Sequence, residues 1–134
     1  MTTVGILGGG QLGAMLASAL QDLGADVHVY DPDPGAPALR RAALRESGSW
    51  RDVPRLQAFF DACDAVTYEF ENVETGGLAQ LTGLGKLFPS LDVLRTTQNR
   101  ALEKEFLRDH GLPHVAFADG RTADELPAAA RGPG

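Results

Sequence analysis

Apolar and polar positions along this chain follow two periods, and the changes from one to the other mark out an α/β protein. Val4-Gly5-Ile6-Leu7 is the short apolar run that a fully buried strand leaves. Behind it Leu12, Met15, Leu16, Ala19, Leu20 and Leu23 recur at helical spacing, and Gly24 stands where such a helix closes. From Asp26 to Tyr30 the alternation returns, with Val27 and Val29 on one face and Asp31 at the carboxyl end. Strand, helix and strand in that order make a βαβ unit whose two strands lie parallel through a right-handed crossover.

Further on, Pro32, Pro34, Gly35 and Pro37 predict an irregular loop. Residues 38–50 read weakly, with a short helix near Leu39-Arg40-Arg41 and at best a weak strand. Residues 53–63 are helical through Val53, Leu56, Phe59 and Phe60, and Ala65–Tyr68 is a further strand. A helix over 78–81 and a last strand over 86–88, broken by Pro89, follow. Residues 98–110 carry a strong helical signal, with Leu102, Phe106 and Leu107 on one side and Gly111 as the stop. The preceding Thr96-Thr97-Gln98-Asn99 offers several caps. Residues 114–117 predict a strand, 122–130 a short helix, and 131–134 a terminator or linker. Strands alternating with helices give a Rossmann-like open parallel sheet.

Composition narrows the function classes. At 134 residues with 43% hydrophobic and 22% charged residues, the chain can bury one ordinary core. Its 16 glycines favour a loop-rich α/β protein over a helical bundle. A net charge of −6 argues against a nucleic-acid partner. The absence of a long apolar run argues against a membrane span, so a cytoplasmic location is expected. Cys63 is alone, which excludes a disulfide framework, and it is expected in the core; His28, His110 and His114 show no metal-ligand spacing. Trp50 is read as packing.

The candidate chemistry lies at the carboxyl ends of the strands, where open parallel sheets hold ligands. Gly8-Gly9-Gly10-Gln11-Leu12-Gly13 follows the first strand and opens the first helix. Gly8 and Gly10 let the backbone turn and approach a ligand, and Gly13 lets the helix pack on the strand. Such a loop serves dinucleotides, mononucleotides and phosphorylated small molecules alike. Asp31, eighteen residues past Gly13, suits a ribose hydroxyl or simply caps the proline loop. On an extended segment Glu69 and Glu71 share one side and Phe70 points to the other. With Asn72 they hold an amine or a ribose hydroxyl, or else cap the next helix. Arg100, Lys104 and Arg108 form a stripe that is either a solvated face or a phosphate contact through Arg100.

Three segments taken together carry a resemblance. Gly5-Ile6-Leu7-Gly8-Gly9-Gly10-Gln11-Leu12-Gly13, Asp31-Pro32-Asp33-Pro34 and Val66-Thr67-Tyr68-Glu69-Phe70-Glu71-Asn72-Val73 closely resemble the N-terminal region of the N5-carboxyaminoimidazole ribonucleotide synthetase family. Gln98-Asn99-Arg100, Glu103-Lys104 and Gly111-Leu112-Pro113 resemble the lead into that family's ATP-grasp region. The resemblance implies a pre-ATP-grasp substrate-binding domain over 1–97, then a linking helix and the start of the ATP-grasp region over 98–134. It implies an ATP-dependent ligase, homodimeric as the full enzyme, that carboxylates 5-aminoimidazole ribonucleotide with bicarbonate through carboxyphosphate. Gly8, Gly10, Gln11, Leu12, Gly13, Asp31, Glu69, Glu71 and Asn72 would then face the ribonucleotide, and Arg100 the ATP phosphates. No catalytic residue falls in this stretch, magnesium ligands are expected beyond Gly134, and residues 1–134 alone are expected to be inactive. Ala14 stands where the family usually has Arg. The competing readings are an NAD-binding oxidoreductase module, a non-catalytic binding or dimerisation module, and another ribonucleotide-using ATP-grasp enzyme.

Overall fold

Four parallel strands carry the architecture: β1 (Thr3–Leu7), β2 (Asp26–Asp31), β3 (Leu44–Ser47) and β4 (Ala65–Tyr68), in the spatial order β3-β2-β1-β4. The computed structural model describes residues 1–118, 120, 124 and 125. Two compact units divide them, Met1–Arg95 and Thr96–Gly134.

In the first unit, β1 runs beside β2 and β4, with Leu7 opposite Tyr30 on one side and Tyr68 on the other. Side chains alternate across the sheet and feed two cores. Ile6, Val27 and Val29 pack with Ala14 and Ala17 of α1 (Gln11–Asp22) and with the 3-10 turn Pro37–Arg40. On the other face, Leu7, Tyr30 and Val66 pack with Leu56, Phe59 and Phe60 of α2 (Val53–Asp61) and with Leu78 of α3 (Thr75–Leu78). Leu94 of α4 (Leu91–Gln98) closes that core. The spacing of Leu56, Phe59 and Phe60 puts all three on one stripe of α2, and Asp52 starts that helix by accepting a bond from Arg55 N at 3.1 Å.

Several expectations change. The buried face of α1 is Gly13, Ala14 and Ala17, while Leu12, Met15 and Leu23 are exposed. Small residues face the sheet because the helix lies close to it: a Cβ on Gly13 would meet the Gly8 carbonyl oxygen. The weak stretch resolves into the 3-10 turn and β3, an edge strand with Leu44 and Arg45 exposed. The helix expected over 78–81 begins earlier, at Thr75. The expected last strand is reduced to a single bridge, Val66 to Leu87, because the chain reaches it from the tight turn Leu84–Lys86 and Pro89 follows.

The helix expected over 98–110 is α5 (Arg100–Asp109); Gln98 instead ends α4, a helix that was not expected, and the division between the units falls within α4. Thr96, Thr97 and Gln98 belong to α4, and Asn99 alone breaks the run. Its backbone is extended, and its side-chain oxygen accepts from Ala101 N and Leu102 N at 3.0 and 3.2 Å. In the second unit α5 has no buried residue, and Leu102 and Phe106 are exposed. Residues 114–117 form no strand. The helix expected over 122–130 and the tail over 131–134 lie outside the described residues, apart from a turn at Asp124 and Glu125.

Candidate functional site

The strand order places one crevice. From β1 the chain crosses to β2 on one side and later to β4 on the other, so the connections leave β1 in opposite directions. That is the switch point of an open parallel sheet, where ligands lie outside the carboxyl ends of the strands. A cavity of about 400 Å³ opens there, lined by Gly10, Gln11, Leu12, Asp31, Glu69 and Phe70.

The glycine loop is held by its own backbone. Gly8 N donates to the Tyr30 carbonyl at 3.0 Å, and Gly9 N to Asp31 Oδ2 at 2.6 Å. The Gly9 carbonyl accepts from Ala38 N at 2.8 Å. Gly8 has φ +105°, and a Cβ there would lie 2.6 Å from the Phe70 ring; on Gly9 it would lie 2.8 Å from the Ala36 Cβ. Gly8, Gly9 and Gly13 therefore answer to packing. Gly10 differs: its φ is −64°, and the nearest atom to a Cβ there is Glu69 Oε2 at 3.9 Å. The space its missing side chain leaves is the cavity itself.

Asp31 reaches this cavity, yet its carboxylate already accepts from two backbone donors, Gly9 N and, through Oδ1, Asp33 N at 2.7 Å. It ties the loop after β2 to the loop after β1. Among the described residues Glu69 has no hydrogen-bond or ion-pair partner for its side chain, and it stands across from the start of α1. The N–H groups of Gly10, Gln11 and Leu12 likewise have no partner among the described residues, as expected at the first turn of a helix without a side-chain cap. Donors on one wall thus face an acceptor on the other, with Phe70 as an apolar side. No cation lines the cavity.

The segment 69–73 bends and turns instead of running on extended, so Glu69 and Glu71 do not share a side. Glu69 and Phe70 line the cavity; Glu71 and Asn72 are exposed and do not. Phe70 was assigned to the opposite face from sequence, and strand alternation could not reveal a bend. Gly9, the hub of the loop's bonds, carried no signal beyond its place among the glycines. Arg100 lies in the second unit, exposed, with Nη1 at 2.6 Å from Glu103 Oε2. Among the described residues no three His, Cys, Asp or Glu gather to hold a metal ion.

Cys63 is buried, donates to the Phe59 carbonyl at 3.2 Å, and lies 3.9 Å from His28 Nδ1. Burial pushes its thiol up to about 11 and holds His28 below its usual range. Neither group reaches the cavity. Trp50 packs on the core, its ring 5.4 Å from that of Tyr30.

Known proteins carry the same pattern. The ribonucleotide synthetase preATP-grasp domain matches residues 1–98. An N5-carboxyaminoimidazole ribonucleotide synthase of Pseudomonas aeruginosa is 38% identical over 129 residues, which cover 95% of this chain and 35% of that protein. The crystal structure of the synthetase from Thermus thermophilus superposes with a TM-score of 0.83 at 36% identity, covering 96% of this chain and 35% of that one. The Aspergillus clavatus synthase, solved with ADP and 5-aminoimidazole ribonucleotide, gives 0.81 at 34% identity, covering 97% and 35%. The chain spans about a third of the length of each of these relatives. Among the described residues, no helix is long and apolar enough to cross a membrane.

Proposed function

Because this chain belongs to the ribonucleotide synthetase preATP-grasp family, we propose that it is the substrate-holding part of an ATP-dependent ligase. The reaction is carboxylation of 5-aminoimidazole ribonucleotide by bicarbonate through carboxyphosphate. The observation that carries this reading is the pairing of the Gly10–Leu12 N–H groups with Glu69 across the switch-point cavity. A ligand there must accept on one side and donate on the other. Sugar hydroxyls and an exocyclic amine do both; a phosphate does not, because the Glu69 and Asp31 carboxylates would repel it. The substrate therefore presents its ribose or amine to this cavity and carries its phosphate elsewhere. Glu71 and Asn72 stay outside the first contacts. Arg100 exchanges its bond to Glu103 for an ATP phosphate. No step is assigned to magnesium on these residues.

The dinucleotide reading is weaker on the same geometry, since each oxygen of the Asp31 carboxylate, which would hold a ribose hydroxyl, already accepts from a backbone donor and has less capacity left for one. Glu69→Gln tests the proposal. Losing a charged acceptor costs about 1.5–3 kcal/mol, roughly tenfold or more in affinity for the ribonucleotide. Titration calorimetry should show that loss with an unchanged melting temperature. Undiminished binding by the variant would remove Glu69 from the site.

A further inference from the structure

The cations of this chain are unevenly paired. Arg51, Arg55, Arg95, Arg100 and Arg108 each hold a carboxylate. Arg40, Arg41 and Arg45 hold none among the described residues, although Asp and Glu outnumber Lys and Arg by 18 to 12. Arg41 is bonded to Ser18 Oγ at 3.2 Å. The other two converge. Arg40 ends the 3-10 turn, and Arg45 lies on edge strand β3 opposite Val29, whose side chain packs on the α1 side of the sheet. Both line one cavity of about 190 Å³ with Pro34, Leu39, Glu46 and Ser47.

The other polar groups of that cavity are engaged. Glu46 Oε1 lies 3.4 Å from Arg55 Nη1, and the strand period turns the Glu46 side chain to the opposite face from Arg45. The Ser47 hydroxyl donates to the Pro32 carbonyl at 3.3 Å. What remains is two arginines that line one small space, neither holding a carboxylate, and two like charges brought to one space repel unless an anion joins them. A guanidinium fork matches the paired oxygens of a phosphate, and two of them match its double charge.

We propose that this cavity binds a phosphate dianion, either free or as the terminal group of a phosphate ester. It shares no lining residue with the switch-point cavity, so it is a second site and does not depend on the ribonucleotide reading.

The test is an amide NMR titration of the 134-residue chain with inorganic phosphate at constant ionic strength, repeated with ribose 5-phosphate. Saturable shifts are expected at Arg45 and Ser47. Affinity should fall about tenfold in Arg40→Gln and again in Arg45→Gln, the usual worth of one charge-assisted bond, and should hold in Arg95→Gln. Tighter binding of ribose 5-phosphate assigns the site to esters; equal binding assigns it to free phosphate. Shifts that never saturate, that weaken equally in Arg95→Gln, or that centre on residues 10–12 would overturn the proposal.

Discussion

Gly10 stands apart from the other glycines of its loop, because it lines the cavity and has room for a side chain. Its neighbours Gly8, Gly9 and Gly13 are glycines because the protein's own atoms leave no room for a Cβ. At Gly10 a methyl group meets nothing closer than 3.9 Å, and the backbone is one that any residue adopts. Gly10→Ala should therefore change stability by no more than about 1 kcal/mol, the gain through the unfolded chain set against the poorer N-cap of Ala, while binding of the ribonucleotide is lost. Gly8→Ala should instead lose about 1–3 kcal/mol, because a left-handed backbone and a clash with Phe70 act together. Paired thermal melts and ligand titrations distinguish the two. If Gly10→Ala bound the ribonucleotide as the parent does, the cavity would not be where the ligand sits.

At the scale of elements, α1 turns part of the face its pattern predicts to solvent: Leu16 and Leu20 pack on the core, but the rest of the stripe does not. Leu12, Met15 and Leu23 have helical spacing, yet they face solvent, and Gly13, Ala14 and Ala17 face the sheet. Met15→Gln and Leu23→Gln should accordingly change stability by no more than about 0.5 kcal/mol. Leu56→Ala on α2, whose pattern and burial agree, should cost about 2–5 kcal/mol. Urea unfolding gives both numbers, and a large loss at Met15 or Leu23 would contradict the placement of α1.

These cases mark what was legible in the sequence. The strands β1, β2 and β4 and the helix α2 announce themselves because they are buried on both faces or amphipathic in the ordinary sense. Helix α1 misleads because close packing on a sheet selects small side chains, and apolar periodicity counts large ones. Strand β3 reads faintly because it lies at the edge, with its first two residues exposed. The cap at Asn99 was among those the sequence offers, and its side chain takes that role; the helix before it, α4, left no such mark. That Gly10, Gln11, Leu12 and Glu69 line a cavity could be read from their positions at the strand ends. Asp31 caps the proline loop, as one of its two sequence readings has it; its bond to Gly9 and the setting of Phe70 against Gly8 could not be read, since both are contacts across the sheet.

For the whole molecule, the buried titratable groups set a pH window. The folded state keeps Cys63 and Tyr30 protonated up to about 11 and about 12, whereas the unfolded chain begins to release those protons near 9.0 and 10.0. The unfolded state then binds fewer protons, so stability falls as pH rises above 9.0. His28 is depressed by burial, so between its folded value and 6.5 the unfolded chain binds the extra proton, and stability falls as pH drops through that range. Melting temperatures should be flat between these limits, and Cys63→Ala should shallow the alkaline decline. An acid limb that is unchanged in His28→Gln would assign it to other groups.

The central claim is that the switch-point cavity of this chain holds a ribonucleotide by its sugar or amine. Calorimetric titration of the chain with 5-aminoimidazole ribonucleotide, and separately with NAD, tests it most directly. Saturable binding of the ribonucleotide, weakened by Glu69→Gln, with no binding of NAD, is the predicted result. Saturable binding of NAD that is indifferent to Glu69, with none of the ribonucleotide, would contradict it.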